Sequence, residues 1–336
     1  MSAAGAAAGF VGKRVLITGG LGFLGSNLAR ELVGAGAHVV LVDSLVPEYG
    51  GNPANIEGIE DRVSVNVSDV RDAHSLNRLL RDRDVVFNLA GQTSHLDSMS
   101  DPFTDLEINC RSQLSILEAC RRHNPEAKVV FASTRQIYGR PRYLPVDEDH
   151  PLAPVDVNGI DKAAGEAYHL LYGSVYGLRV CALRLTNTYG PRMRVRDARQ
   201  TFLGLWLRAV LQDESIEVWG DGTQRRDLLY VDDAVRAFLL AAASAEADGE
   251  VFNVGVDSSI ALEQLAALLV SLAGRGSYRL VPFPVERQAI DIGDYWTRAE
   301  KIRTALGWEA TVTLEEGLAR TLAYYREHGG KYWESP

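Results

Sequence analysis

The chain has 336 residues, of which 46% are hydrophobic and 24% charged, and its formal net charge is −9 at pH 7. This composition is typical of a globular protein, and the negative charge argues against nucleic acid or an anionic membrane surface as the main partner. No run approaches about 18 apolar residues, so no transmembrane helix is predicted, and residues 1–10 predict a flexible leader that lacks the features of a signal peptide.

The first structured segment is predicted to be a strand, a glycine-rich turn and a helix. Arg14–Thr18 reads as a short buried strand, and Phe23–Gly34 has the spacing of an amphipathic helix. Between them, Gly19 allows a tight bend, Gly22 a close approach of a diphosphate, and Gly25 close packing of the helix on the sheet. The N–H groups that begin the helix favour phosphate. The turn predicts a dinucleotide site, although ordinary strand–turn–helix connections share the pattern.

A second strand, His38–Val42, ends in an acid. Asp43 follows the glycine turn by about 20 residues, where a carboxylate can accept hydrogen bonds from the adenosine ribose hydroxyls. The alternative is a solvated carboxylate at a strand end. The turn and Asp43 together predict NAD as the cofactor.

The middle of the chain alternates strands with helices. Strands are predicted at Arg62–Val67, Asp84–Ala90, Lys128–Ser133 and Arg179–Leu185, and helices at Ala73–Asp82, Pro102–His123 and Val157–Gly177. The helix over 102–123 has a predicted buried stripe of Phe103, Leu106, Cys110, Leu114, Leu117 and Cys120. Because strands joined by helical crossovers pair in parallel, the alternation predicts a parallel sheet with right-handed connections.

The regular alternation breaks after residue 185. Helices are predicted at Thr201–Gln212, Asp232–Ser244, Leu262–Ala273 and Leu314–His328, and short strands at Ile216–Trp219 and Val251–Val254. The predicted fold is therefore α/β. Residues 11–185 are expected to form a Rossmann-type, doubly wound parallel sheet. Residues 186–336 are expected to form mainly a smaller C-terminal α/β substrate-binding lobe, and part of this segment is a candidate to return to the sheet. A crevice at the carboxyl edge of the sheet is the expected ligand site.

The order of motifs resembles a known family. Eight motifs follow one another along nearly the whole chain: TGGLGFLG, Asp43, Asp69-Val70, NLAGQ, STRQIYG, a lysine that opens a long helix, LRLTNTYGPR and GDGTQRRDLLYVDDA. They resemble the extended short-chain dehydrogenase/reductases of the nucleotide-sugar epimerase/dehydratase group. The resemblance implies NAD contacts by Gly19, Gly22, Phe23, Leu24, Gly25, Asp43, Ser44, Asp69, Val70, Leu89, Ala90, Gly91, Asn109, Ser133 and Lys162.

The resemblance also implies a catalytic set in which one member is replaced. Thr134 would donate to a sugar oxygen, and Lys162 would hold the nicotinamide ribose. The family pairs that lysine with a tyrosine four residues earlier, which serves as a base because the lysine lowers its pKa. Here that position holds Asn158, which is expected to orient the reacting sugar hydroxyl by a hydrogen bond, although an amide cannot take a proton near neutral pH.

Several residues are candidates for the missing base. Asp161 lies near the face of Asn158, and His95 follows the fourth strand; histidine is the residue type that titrates nearest neutral pH. Tyr168 and Tyr172 lie roughly 15–21 Å along the helix at 1.5 Å per residue, too far to substitute. Tyr138 is expected to be packed. Each candidate also has a purely structural interpretation.

The residues after Thr134 bear on the reaction class. Sugar 4,6-dehydratases of the family carry an Asp-Glu pair there, whereas this chain has Arg135 and Gln136, so epimerisation is favoured over elimination of water. Arg135 could pair with a substrate carboxylate or phosphate. The alternatives are a dehydratase or decarboxylase with a relocated base, and a degenerate sensor that binds NAD and a sugar nucleotide.

The substrate expected from the resemblance is a nucleotide-diphosphate sugar. Asn187 and Arg226 would hold the diphosphate, because the guanidinium fork suits phosphate oxygens. Further substrate contacts are expected from Ser94, His95, Arg135 and Arg192. Arg192 lies in a basic loop with Arg194, Arg196 and Arg199, and this loop is interpreted as an anion-binding mouth. Arg287 and Arg298 are candidates for another phosphate contact. No metal site is predicted.

Assembly and location complete the expectations. Many relatives pair two long helices, here Pro102–His123 and Val157–Gly177, into a four-helix bundle, so a homodimer is expected. Cys110, Cys120 and Cys181 are too few and too scattered for a disulfide framework, which favours the cytoplasm.

Overall fold

The structure is a computed structural model, and it describes residues 3–333. Its strands are β1 Arg14–Thr18, β2 His38–Asp43, β3 Val63–Val67, β4 Val85–Asn88, β5 Lys128–Thr134, β6 Arg179–Leu185, β7 Asn187–Tyr189, β8 Ser215–Trp219, β9 Arg225–Arg226, β10 Leu228–Tyr230, β11 Val251–Val254, β12 Ile260–Ala261 and β13 Ser277–Val281. Its α-helices are α1 Ala3–Ala7, α2 Phe23–Gly34, α3 Ala73–Leu79, α4 His95–Ser100, α5 Pro102–Leu106, α6 Ser112–His123, α7 Val157–Tyr176, α8 Phe202–Leu211, α9 Val231–Ala243, α10 Leu262–Ala273, α11 Val285–Gln288, α12 Glu300–Leu306, α13 Leu314–His328 and α14 Gly330–Trp333.

Seven parallel strands form the central sheet, which confirms the predicted fold class. Their spatial order is β3-β2-β1-β4-β5-β6-β11, with β1 in the middle, where Val15 pairs with Val39 on one side and Val85 on the other. The reversal between β1 and β4 creates a crevice at the carboxyl ends of these strands. The seventh strand, β11, comes from the C-terminal part of the chain and pairs with β6.

Alternate residues of β1 enter different cores, because successive side chains of a strand point to opposite faces. Val15 and Ile17 belong to the larger core, which includes residues of α2 and α9. Leu16 belongs to the other core, with residues of α3, α6 and α7. The sheet is therefore covered on both faces, which explains why its strands are continuous apolar runs.

The N-terminal segment is not a flexible leader as far as the structure describes it, so that prediction is wrong for residues 3–10. These residues form α1 and a 3₁₀ turn, and α1 packs against α9. Ala7 is fully buried, and Phe10 is 2% exposed. Apolar side chains that find a place in the core hold the segment down; residues 1–2 lie outside the described part of the chain.

The predicted helix over 102–123 is interrupted. A π-helical turn at Glu107–Arg111 separates α5 from α6. The first part of the predicted buried stripe is also wrong, since Phe103 is 77% exposed and Leu106 is 40% exposed, whereas Leu117 and Cys120 are fully buried. The extra residue of a π turn rotates the helix face, so one stripe cannot stay buried through both halves.

Short strand pairs follow residue 185, and the sequence pattern missed most of them. β7 pairs with β10 and β8 with β13 in parallel, whereas β9 pairs with β12 in antiparallel. Pieces of two to five residues are too short to show a hydrophobic period. Between residues 3 and 333 no helix has the length and apolarity needed to cross a membrane, and no cluster of metal-ligating side chains occurs there.

Candidate active site

A cleft opens at the glycine turn between β1 and α2. Gly19 adopts a φ of +67°, and a Cβ on Gly25 would lie 2.2 Å from the carbonyl oxygen of Gly19, so this turn tolerates no side chain there. The twelve predicted cofactor residues from the turn and the next strand ends all line this cleft: Gly19, Gly22, Phe23, Leu24, Gly25, Asp43, Ser44, Asp69, Val70, Leu89, Ala90 and Gly91.

Asp43 ends β2 beside the turn. Its Oδ2 accepts a hydrogen bond from the backbone N–H of Leu21 at 3.0 Å, and its Oδ1 accepts one from that of Leu45 at 2.9 Å. Burial raises the pKa of this carboxyl, and the two backbone N–H groups oppose the rise. Each oxygen keeps a further lone pair, so the carboxylate fits the adenosine ribose of NAD.

The other end of the cleft carries polar atoms whose hydrogen-bonding capacity is not used within the described residues. A Cβ on Gly91 would meet Asn109 Oδ1 at 2.8 Å and Lys162 Nζ at 2.9 Å, so the three groups surround one small space. Asn109 Oδ1 is buried with no partner between residues 3 and 333, and Lys162 Nζ donates to the carbonyl oxygen of Ala132 at 3.1 Å. Burial lowers the pKa of Lys162 to about 8, and the charge of Asp105 opposes this. An acceptor and an ammonium suit the nicotinamide ribose hydroxyls, so the residues present fit NAD.

Asn158, which the resemblance aligns with the family's tyrosine, is turned into the protein. It is 3% exposed, and its Nδ2 donates to the carbonyl oxygen of Gln92 at 2.8 Å and to Asp105 Oδ2 at 3.2 Å. Both amide protons are therefore engaged, and only its oxygen remains to accept a hydrogen bond. Asn158 cannot take a proton in this arrangement.

Two carboxyl groups meet behind Asn158. Asp105 Oδ1 accepts from Asn109 Nδ2 at 3.0 Å, and Asp161, next to Lys162, lies close enough to hydrogen-bond to Asp105. Burial raises the pKa of Asp161 to about 7, and Asp105 adds to the rise. Asp161 is 4% exposed and its Oδ2 has no partner among the described residues. One proton shared between two buried carboxyls explains these properties.

The end of β5 carries the two predicted hydroxyl residues. Thr134 Oγ1 accepts from the backbone N–H of Gln136 at 3.2 Å, so its own proton is left to donate. The Ser133 hydroxyl donates to Glu166 Oε2 at 2.6 Å, and Glu166 is paired with Arg184. Ser133 therefore supports the interior under the strand end, and its hydroxyl is not directed to a ligand.

A larger cavity adjoins the carboxyl ends of β5 and β6. It encloses about 570 Å³, within the range of about 300–1,000 Å³ usual for small-molecule sites. Four of the six predicted substrate residues line it, namely His95, Arg135, Asn187 and Arg226. The far wall is formed by α8, β8 and the segment around α11.

Two arginines give this cavity a positive wall. Arg135 Nη2 donates to Asn187 Oδ1 at 3.0 Å, and its guanidinium lies over the Tyr295 ring at 5.2 Å. Arg226 is 7% exposed and lies 3.6 Å from Asp291. Burial lowers the pKa of Arg226 to about 10, with Arg135 as the next cause. No carboxylate of residues 3–333 lies within 4.0 Å of the Arg135 guanidinium, so an anionic ligand would complete its environment.

His95 and Asp156 form an ion-pair geometry on the wall of the same cavity. His95 Nδ1 lies 2.8 Å from Asp156 Oδ2, and 35% of the histidine side chain is exposed, against 1% of the aspartate side chain. Asp156 Oδ1 also caps α7 by accepting from the N–H of Gly159 at 2.7 Å. The sequence signal for His95 was its place after a strand end, whereas Asp156 was missed because it reads as an ordinary helix cap.

The remaining predicted ligand residues are engaged elsewhere. Arg192 Nη1 donates to Asn27 Oδ1 at 2.8 Å, and Arg194 pairs with Asp197 at 2.5 Å, so these two do not form an anion-binding mouth. Arg199 pairs with Asp197 of the same loop and with Asp97 of α4, and among the four arginines of the loop only Arg199 lines the cavity. Ser94 caps α4 by accepting from the N–H of Asp97 at 3.2 Å.

The C-terminal arginines and the aromatic wall complete the cavity. Arg287 lines it with its guanidinium 4.7 Å from the Trp219 ring, whereas Arg298 lies 3.9 Å from Asp147 and outside the lining. Trp219 and Phe283 pack edge to face with centroids 5.7 Å apart. The sequence analysis did not identify this pair, because the two aromatics lie on separate segments joined only by the pairing of β8 with β13.

Comparison with known proteins places this geometry among nucleotide-sugar enzymes. The model of the NAD dependent epimerase/dehydratase family matches residues 15–255. A putative UDP-glucose 4-epimerase of Methanocaldococcus jannaschii is 30% identical over 94% of this chain and 99% of its own length. The solved UDP-glucose 4-epimerase of Thermotoga maritima, with UDP-glucose, is 31% identical over 94% of this chain and 99% of its own, with a TM-score of 0.85. A dTDP-glucose 4,6-dehydratase of Streptomyces venezuelae, solved with NAD, is 28% identical over 95% and 98%, with a TM-score of 0.86.

Proposed function

The chain belongs to the NAD-dependent epimerase/dehydratase family, and from this premise we propose that it is a nucleotide-sugar epimerase that acts through a transient keto sugar. The carrying observation is that the cofactor cleft and the arginine-lined cavity are neighbours with Gln200 in both linings, and that Arg135 and Gln136 follow Thr134 in place of an acid pair. Free Cys110, Cys120 and Cys181 favour the cytoplasm as its location.

In this proposal the chain's own residues hold and orient both ligands. Bound NAD supplies the hydride acceptor, and then the hydride donor, at a sugar carbon. Lys162 and Asn109 hold the nicotinamide ribose, and Thr134 donates its hydroxyl proton to the reacting sugar oxygen. Arg226 and Asn187 hold the diphosphate through hydrogen bonds to its oxygens. The keto sugar turns over in the cavity before it is reduced on its opposite face.

A second candidate function is decarboxylation of a nucleotide uronate. The supporting observation is Arg135, whose guanidinium has no carboxylate partner within 4.0 Å among residues 3–333. A substrate carboxylate would pair with it through a bidentate hydrogen bond. Oxidation of the neighbouring hydroxyl to a ketone makes such a carboxylate a leaving group as CO₂.

Proton NMR with a panel of nucleotide sugars tests the proposal. We expect wild-type protein with NAD in D₂O to convert one member to an epimer with new anomeric signals and no added reductant, because hydride is returned in each turnover. Lys162→Met is the inactive control. Loss of CO₂ from a uronate would instead support the second candidate. Line broadening without any product would contradict both and favour a sensor.

We also propose that the protein is a homodimer that pairs the surfaces of α5–α6 and α7. Large apolar side chains are exposed along α7, with Ile160 at 54%, Leu171 at 49% and Val175 at 61%. Residues 160, 171 and 175 fall on one face of a helix with 3.6 residues per turn. Phe103 adds to the apolar surface on the neighbouring α5. A contiguous apolar surface of this kind favours a protein partner.

A further inference from the structure

The structure contains an oriented histidine where the reaction needs a base. His95 begins α4 just after the loop that follows β4, and it lines the large cavity together with Gln136 and Asn187. Gln136 connects it to the predicted reacting centre, because its backbone N–H donates to Thr134 Oγ1 at 3.2 Å while its side-chain Nε2 lies 3.3 Å from His95 Nδ1. Gln136 therefore lies between the imidazole and Thr134, and both Gln136 and His95 line the large cavity.

Asp156 fixes which ring nitrogen of His95 carries the proton. Its Oδ2 lies 2.8 Å from Nδ1 and also accepts from Gln136 Nε2 at 3.3 Å, and its Oδ1 accepts from the N–H of Gly159. Burial by itself raises the pKa of the Asp156 carboxyl, but His95, Gly159 and Gln136 outweigh it and the net shift is downward. An ionised carboxylate beside Nδ1 holds the proton there and leaves Nε2 with a lone pair.

His95 Nε2 is open toward the cavity. Between residues 3 and 333 no side chain or backbone group hydrogen-bonds to it, and both contacts of the ring are made by Nδ1. A base needs to reach the hydroxyl that it deprotonates directly or through one water. His95 shares the lining of the large cavity with Asn187, so this nitrogen is open to a ligand that binds there.

The other candidate bases are excluded by their contacts. Asn158 has no titratable proton site, and Asp161 faces Asp105 beneath α7 and lines neither cleft. Tyr138 is fully buried, donates to Asn253 Oδ1 at 2.6 Å and accepts from Arg184. Tyr172 donates to Glu118 at 2.7 Å, away from both clefts. Of the candidate bases named from the sequence, His95 is the one that lines the cavity.

Resting on the epimerase function proposed above, we propose that His95, oriented by Asp156, is the general base that replaces the tyrosine. The O–H bond of the sugar breaks and its proton moves to His95 Nε2. The C–H bond of the same carbon breaks as its hydride passes to NAD, and the carbonyl double bond forms. The return step moves hydride and proton back to the sugar. Asp156 acts as a positioning residue that stabilises the imidazolium.

The test compares His95→Gln and Asp156→Asn with His38→Gln. Glutamine keeps a donor for Asp156 but cannot take a proton, and asparagine keeps an oxygen for the Gly159 cap while it removes the charge. His38 is an exposed histidine at the start of β2, on the opposite edge of the sheet. We expect the His95→Gln kcat to fall about 10²–10⁴-fold and the Asp156→Asn kcat to fall by up to about 10⁴-fold, with unchanged Kd for NAD and for the converted nucleotide sugar.

A spectroscopic readout separates positioning from structural support. In ¹H–¹⁵N NMR of ligand-free wild type, we expect the His95 ring to be protonated at Nδ1, and Asp156→Asn to shift it toward the Nε2-protonated form while the melting temperature stays close to wild type. Turnover by His95→Gln within about threefold of an active wild type would overturn the base assignment alone. A wild type that converts no sugar would overturn the proposed function together with this assignment.

Discussion

At the scale of single residues, Asp105 and Asp161 bring two carboxyl groups together beside Lys162. The side-chain amides of Asn109 and Asn158 both donate hydrogen bonds to Asp105. Asp161 Oδ2 has no hydrogen-bond partner within residues 3–333. Removal of water and proximity to a second carboxyl both penalise charge. The pair therefore holds a proton that an isolated aspartate would release.

This proton predicts a pH dependence of stability. Burial raises the pKa of Asp161 in the folded protein from 3.8 to about 7. The contribution of Asp161 to the free energy of unfolding is therefore complete below pH 3.8, the pKa in the unfolded chain, and is lost as the pH rises through 7. Asp161→Asn supplies a permanently neutral group. We expect its melting temperature to exceed that of wild type by about 2–4 °C at pH 8, and the difference to shrink toward pH 5.

The control for this prediction is Asp149→Asn, since Asp149 is exposed. Thermal melts of the three proteins between pH 5 and 8 supply the measurement. Parallel curves for wild type and Asp161→Asn would show that Asp161 is ionised throughout, and would remove the shared proton from the site.

At the scale of elements, the N-terminal segment belongs to the larger core. Phe10 packs near Phe87 of β4 with ring centroids 6.4 Å apart, and α1 lies against α9. We expect Phe10→Ala to reduce the free energy of unfolding by about 3–4 kcal/mol, because it opens a cavity in a packed core. Urea denaturation measures this change.

Val11 provides the matched control, because it is the next residue and is 71% exposed. Val11→Ala should change the free energy of unfolding by no more than about 0.5 kcal/mol. Equal values for the two variants would mean that residues 3–10 contribute no packing.

The π-helical turn between α5 and α6 is a second element with a consequence for the site. A Cβ on Gly165 of α7 would lie 2.8 Å from the carbonyl oxygen of Asn109 in this turn, so the two segments approach closely. The turn directs the Asn109 side chain inward, where it donates to the carbonyl oxygen of Gln92 at 2.9 Å. Irregular helix geometry thus places Asn109 against Gly91, which lines the cleft of the glycine turn.

At the scale of the whole molecule, the exposed apolar face of α7 predicts the assembly. We expect wild type to elute at twice the monomer mass in size-exclusion chromatography with light scattering, and Leu171→Glu at the monomer mass, because a buried charge without a partner opposes association. Leu280→Glu is the control, since Leu280 is 48% exposed on β13. A monomeric wild type, or dissociation by both variants, would contradict the proposed interface.

The sequence by itself determined the central sheet and the cofactor cleft. Three elements begin and end at the residues that the sequence pattern predicts, namely Arg14–Thr18, Phe23–Gly34 and Arg179–Leu185. They could be predicted because long apolar runs and helical periods are local signals. The twelve cleft residues of the glycine turn and the next strand ends were expected from the resemblance to the family, and they lie together because parallel strands deliver their carboxyl ends to one edge.

Only the tertiary structure decided how the remaining polar residues are used. Four contacts join segments that are distant along the chain. They are those of Arg192 with Asn27, of Asn158 with Asp105, of Asp161 with Asp105, and of His95 with Asp156. A hydrogen bond between such segments depends on distances set by packing, and no periodicity records it. The resemblance aligned Asn158 with the family's tyrosine, and the fold brings the imidazole of His95 into the lining of the large cavity.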